Sequence, residues 1–304
     1  MDFLVIIGLL IFLVAAFGVI TNGTVVYVIC RTKQLNHPFL ILTAGLTFVD
    51  ALFTVIYLTY VAPATMLCVA ILDDFNVSSV FGFVMMVCYF AAMTTHSIIA
   101  VNRFLAVFTP IFYNSVFDVR FTKKIVVMNF LFSLLFNSLF HVFFNCRCFY
   151  NTAFHTFTYT STPNCKLYAH LSGVHFCFFL HFGNAILDSL TWWKLNKIMK
   201  AQRDSSSSWK TAKRDISYVK QAFTQTVYLL VHMLLFVFGY DSIVRDPKIG
   251  VIITSLGFSS FFASDGLITI ILNKEVRARM LKKTFVKPQA SFQDWKGEEA
   301  RRKV

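Results

Sequence analysis

Charge is scarce in this 304-residue sequence: Asp, Glu, Lys and Arg together make up 14% of it, against about a quarter in an ordinary water-soluble domain. The charge that is present is lopsided, 28 basic residues to 15 acidic, for a net +13. Proline is sparse, six residues in all. The seven cysteines include no Cys-x-x-Cys pair and no Cys/His set at zinc spacing, which argues against a zinc module. None of the eight histidines pairs at i, i+4, so no metal site is written on one helix,. No Ser/His/Asp motif and no internal repeat is visible. These absences point away from an enzyme and from a cofactor, and the missing repeat weakens a repeated-half transporter.

What fills the chain instead is apolar. Hydrophobic residues reach 57%, and Phe alone occupies 36 positions. A water-soluble fold has no polar shell with which to hide that much surface, whereas a lipid-facing one needs none. About 20 apolar residues at 1.5 Å rise cross a hydrocarbon core of ~30 Å. Seven segments satisfy this, at roughly 3–30, 39–62, 80–106, 122–145, 170–193, 221–240 and 249–272. The expected fold is therefore all-α, a seven-transmembrane helix bundle. The first apolar run is too long for a signal-peptide core and has no basic residues before it, so it is expected to remain as a span,. Pro38 fits the first turn of the second span and Pro63 its end,.

Orientation follows from the basic residues. Two lie at 31–33, four at 103–124, eight at 194–220 and ten beyond 273, against only Arg147, Lys166, Arg245 and Lys248 on the other side. The amino terminus is expected outside and the carboxyl terminus in the cytoplasm, in a multi-pass membrane protein. The basic bias thus has a membrane explanation, and nucleic acid is not an expected partner. The third inner loop, about 194–220, contains Ser205, Ser206, Ser207 and Ser208, either a phosphorylation site or a solvated linker,.

Charged groups inside spans are costly, on the order of 2.5–3.5 kcal/mol at mid-helix. Asp50 in the second span and Asp265 in the seventh are two such groups, and Asn22 lies in the first. If helices 1, 2 and 7 are neighbours, the three form one polar cluster. Two carboxylates there would share a proton or hold a small cation, or the cluster is a hydrogen-bonded knot between helices. In the fourth span Asn129, Ser133, Asn137, His141 and Asn145 recur every four residues, a single polar stripe expected to join helices,. By depth along their spans, Met85, Tyr89, His141, His175, Tyr228 and His232 are candidate ligand-pocket residues.

The order of these features resembles the rhodopsin-like G-protein-coupled receptors. Asn22 and Val25 in the first span, Leu46 and Asp50 in the second, and Asn102-Arg103-Phe104 closing the third are spaced as in that family. Asp265-Gly266-Leu267-Ile268-Thr269 stands at the place of its seventh-span motif, and Asn273-Lys274-Glu275-Val276-Arg277 at the start of its short amphipathic eighth helix. The fourth span lacks Trp, the fifth and sixth lack Pro, and Ser78 stands where an outer Cys is usual. The run from Asn102 to Phe117, including Thr109-Pro110-Ile111-Phe112-Tyr113, resembles the class X serpentine chemoreceptors of nematodes.

The resemblance implies a receptor domain over 1–272 and a cytoplasmic eighth helix and basic tail over 273–304. It implies a small-molecule ligand, a heterotrimeric G protein as partner, and a place in the plasma membrane, that of sensory cilia included. Asn102, Arg103, Phe104 and Tyr113 are the expected coupling residues, with Arg103 holding the inner face closed. Cys165 is expected to pair with Cys146 or Cys148, with Cys68 as a competing partner, and Asn76-Val77-Ser78 is the outward sequon,. With almost no chain before the first span, a ligand is expected in the outer half of the bundle or against the second outer loop. A light-driven protein would need a lysine within the seventh span, and none lies between Ile249 and Leu272. A small-solute transporter is the alternative.

Overall fold

A computed structural model describes residues 3–31, 37–67, 74–169, 175–201 and 206–281, with side chains apart at 201–215 and 240–244. Long helices dominate: α1 (Phe3–Arg31), α2 (Pro38–Leu67), α3 (Phe75–Phe108), α4 (Val119–Phe143), α5 (Phe176–Ala201), α6 (Ser206–Arg245) and α7 (Pro247–Leu272). A hairpin of β1 (Cys148–Asn151) and β2 (Thr156–Tyr159) sits between α4 and α5, antiparallel with Cys148 opposite Tyr159. A seven-residue helix, α8 (Lys274–Met280), follows α7, capped by the Asn273 side chain.

Local chemistry sets the boundaries. Pro38 and Pro247 occupy first turns, where a missing N–H costs nothing,. Asp74 caps α3 by accepting from Asn76 N and Val77 N at 2.9 and 3.0 Å, and Asp118 caps α4,. The helices are bent by π turns at Tyr57–Val61, Leu139–Phe143 and Ile252–Leu256,. The first of these corrects the expected end of the second span. Helix α2 runs through Pro63 to Leu67 because the carbonyl that the proline ring would strike, that of Thr59, lies in the widened π turn,.

Among the described residues, six helices are long and apolar enough to cross a membrane by composition, and α5 is not one of them. Its apolar run is interrupted by His181, Asn184 and Asp188, all buried inside the bundle. The expected third inner loop also changes. Helix α6 has 40 residues, about 60 Å and twice a hydrocarbon core, and begins at Ser206,. Ser206, Ser207 and Ser208 are therefore helical; Ser205 lies outside the described residues, as do Cys68 and the tail from 282.

Helix α3 is central, packing on α2, α4, α5 and the hairpin, while α1 packs on α2 and α7. Small residues permit the closest approaches. A Cβ on Gly18 would lie 2.7 Å from Thr54 and 2.8 Å from Ala263, and one on Gly266 would lie 2.6 Å from the Asn22 backbone nitrogen,. Large apolar side chains point outward instead, with Phe143 79% and Phe238 81% exposed. Such a surface suits lipid.

Candidate functional site

At the hairpin end, the connection between α4 and α5 folds over the mouth of the bundle. Ser78 Oγ accepts from Tyr150 N at 2.5 Å and donates to Tyr150 O at 3.4 Å. A Cβ on Gly82 would lie 2.1 Å from the Cys148 carbonyl oxygen, so β1 lies directly on the α3 backbone. The Tyr150 hydroxyl is 2.7 Å from Thr65 Oγ1 on α2, Ser255 Oγ on α7 donates to His155 O at 2.6 Å, and Tyr159 OH donates to Met86 Sδ at 3.2 Å. A serine anchor and a glycine contact thus hold the hairpin to α3. The disulfide joins Cys146 to Cys165, which resolves the alternatives left by the sequence, and Cys148 is a buried free thiol. Burial pushes the Tyr159 hydroxyl and the Cys148 thiol up and holds the His155 imidazole below its usual range,.

Beneath the hairpin the six expected pocket residues do not form one set. Tyr89 and His232 converge on Phe258 of α7, at ring distances of 6.0 and 4.7 Å, and both are buried, as is Met85. His141 lies elsewhere, edge-on to Phe83 and beside a cavity of about 10 Å³, room for at most one water,. His175 is exposed at the start of α5, and Tyr228 is 38% exposed while stacking on Phe261 at 5.9 Å. The reason is rotational. Depth along a span says nothing about which way a side chain points, and the π turn at Leu139–Phe143 changes the face that His141 presents,. Phe258 was not foreseen.

Midway through the bundle, Asn22, Asp50 and Asp265 are all fully buried. Asp50 lies within electrostatic and hydrogen-bonding reach of Asp265. Asn22 Nδ2 donates to Phe262 O at 2.9 Å, and its Oδ1 is pressed toward Gly266. A fourth member comes from α3: His96 Nε2 is 3.1 Å from Asp265 Oδ2. The polar stripe of α4 lies to one side. Asn129 there donates to Ala91 O and Thr95 Oγ1 and accepts from Thr94, joining α4 to α3.

At the opposite end, Arg103 is 4% exposed. Its guanidinium carbon stands 3.4 Å from the Phe39 ring centroid and 4.8 Å from that of Tyr218. Such desolvated cation–π contacts contribute up to about 2 kcal/mol each. The Tyr218 hydroxyl donates to Glu275, which also pairs with Arg279. A polar row on α6 then ties that helix to α7: Ser217 Oγ donates to Leu272 O at 2.5 Å, Gln221 Nε2 to Thr269 Oγ1 at 2.9 Å, and Gln225 Nε2 to Asp265 O at 3.3 Å. Thr226 Oγ1 donates to Asp188 Oδ2 on α5 at 2.8 Å. Of the four expected coupling residues, Arg103 reaches α6 through its contact with the Tyr218 ring. Asn102 is buried, Phe104 stacks on Phe108 at 4.3 Å, and Tyr113 stacks on Phe117 at 5.5 Å from the short helix Pro110–Val116. Ser217, Gln221 and Gln225 repeat every four residues, a polar stripe that the sequence itself displays,.

Residues 12–273 match the family described as Serpentine type 7TM GPCR chemoreceptor Srx. Serpentine receptor class X 45 of Caenorhabditis elegans is 23% identical over 287 residues, covering 89% of this chain and 79% of that protein. In fold, the chain is similar to the crystal structure of squid rhodopsin, with a TM-score of 0.69 and 17% identity over 93% of this chain and 88% of that one.

Proposed function

The chain belongs to the Srx family of serpentine seven-transmembrane chemoreceptors, and from that membership we propose that it detects a small molecule in the outer half of its bundle and signals through a heterotrimeric G protein. It is a multi-pass membrane protein and a G-protein-coupled receptor, not an enzyme, and family membership displaces the transporter alternative. Its likeness to a rhodopsin is one of fold alone.

The observation that best supports the mechanism is the clamp on Arg103. At the end of the bundle where basic residues concentrate, a buried guanidinium lies against Phe39 of α2 and Tyr218 of α6, whose rings also touch each other at 4.5 Å. With α6 laced to α7 by Ser217, Gln221 and Gln225, that end is closed. Opening it means withdrawing Tyr218 from Arg103, which frees Arg103 for the G protein. A ligand drives this only by binding the open arrangement more tightly than the closed one. The reading places Tyr89, Met85, His232 and Phe258 on the ligand, in a receptor domain of 1–272. The hairpin end with Asn76 faces outward, and 273–304 lies in the cytoplasm of a plasma-membrane protein of sensory cilia. Asn76 is exposed in the first turn of α3, as a glycan acceptor must be.

The test is a screen of small volatile and water-soluble compounds for G-protein activation in cells expressing the chain. A compound that activates the wild type and loses at least tenfold in potency with Tyr89→Ala or His232→Ala supports the reading. Activation that no substitution beneath the hairpin alters would overturn the ligand assignment.

A further inference from the structure

The buried cluster between α1, α2, α3 and α7 has an acceptor surplus. Asn22 Oδ1, both carboxyl oxygens of Asp50 and Oδ1 of Asp265 meet no hydrogen-bond donor among the described residues. All three residues are at 0% exposure. Two carboxyls in a dry site must share a proton or be met by positive charge, and a metal ion is one source of that charge,. The structure offers another. His96 is 5% exposed and points its Nε2 at Asp265 Oδ2 across 3.1 Å.

We propose that His96, by pairing with Asp265, takes the place that a metal ion would fill at this site, so that the receptor needs no sodium there and binds none. Two observations converge on it. The imidazole already occupies one carboxylate oxygen, leaving four acceptors where a hard cation gathers six or more,. Among the described residues the other basic groups facing this depth are engaged: His181 of α5 turns its Nε2 to Met93 Sδ at 2.9 Å, and Arg103 is held by Phe39 and Tyr218. The remaining ionisable groups nearby are Cys88 of α3, Tyr228 of α6 and Asp188 of α5, none of them a cation.

The consequence is positional. His96 lies two turns before Arg103 on the same helix, so its pairing with Asp265 fixes α3 against α7 just above the clamp. His96 is thus a positioning residue for the closed state.

Thermal unfolding of the purified full chain, in sodium chloride against choline chloride at equal ionic strength, tests this. Wild type is expected to show no sodium-specific change. His96→Gln removes the imidazole but leaves both carboxyl groups, so its Tm should rise with sodium in a saturable way. The rise should reach about 3 °C at tenfold excess over the dissociation constant. His96→Gln/Asp50→Asn should again be flat. A His96→Gln protein recovered only from sodium buffer reports the same dependence at the folding step. A saturable sodium response in wild type, or a His96→Gln protein that is insensitive or recovered from neither salt, overturns the proposal.

Discussion

Gly266 shows how much can rest on one hydrogen atom. Adding a methyl group there would place Cβ within 2.9 Å of the α1 backbone at Thr21 and Asn22, neither of which can rotate away. Gly266→Ala should therefore destabilise the bundle by about 1–3 kcal/mol, the usual range for an overpacked contact, read as a lower Tm. At the other end, Tyr218→Phe keeps the ring on Arg103 but deletes the bond to Glu275. It should raise agonist-free signalling a few-fold at unchanged surface expression; signalling equal to wild type would mean that bond does not hold the closed state. At this scale the sequence was informative wherever burial is costly. Asp50, Asp265, Asn22 and Arg103 stood out because polar groups in apolar runs require a reason. His96 did not, because an intramembrane histidine is unremarkable until its partner is known, and that partner is 169 residues away.

Helices announce themselves by length and apolarity, and most of these did. Helix α5 did so within 170–193 although His181, Asn184 and Asp188, which face the bundle, dilute its apolar run. Where a boundary differs, a tertiary cause is identifiable. Helix α2 outlasts Pro63 because of a π turn, for which sequence offers no clear signal. The hairpin hides in a loop, since strands of four residues carry little periodicity. Its docking gives a prediction. Burial lowers the pKa of His155, so the undocked hairpin binds more protons than the docked one, and docking weakens as pH falls through the undocked value, about 6.5,. The ratio of Cys148 labelling by an impermeant thiol reagent in wild type to that in His155→Gln should rise between pH 7 and pH 5.5, the ratio cancelling the loss of thiolate common to both. Ser78→Ala should raise the labelling at every pH, because the backbone of Tyr150 loses its anchor on α3. Equal labelling in wild type and Ser78→Ala would show that the hairpin is held by other contacts.

For the molecule as a whole, the basic residues orient it and the buried polar axis gives it two ends with different tasks. A tag after Val304 should be reached by antibody only in permeabilised cells, and Asn76→Gln should abolish any glycosidase-sensitive mobility shift. Labelling of the tag in intact cells would invert the topology. The central claim is that a closed clamp on Arg103 gates a G protein. The most direct measurement is guanine-nucleotide exchange on a purified heterotrimeric G protein added to vesicles holding the chain, comparing wild type, Tyr218→Phe and Arg103→Ala. The account predicts exchange above empty vesicles for wild type, faster exchange for Tyr218→Phe and none above background for Arg103→Ala. Exchange by Arg103→Ala equal to that of wild type would contradict it.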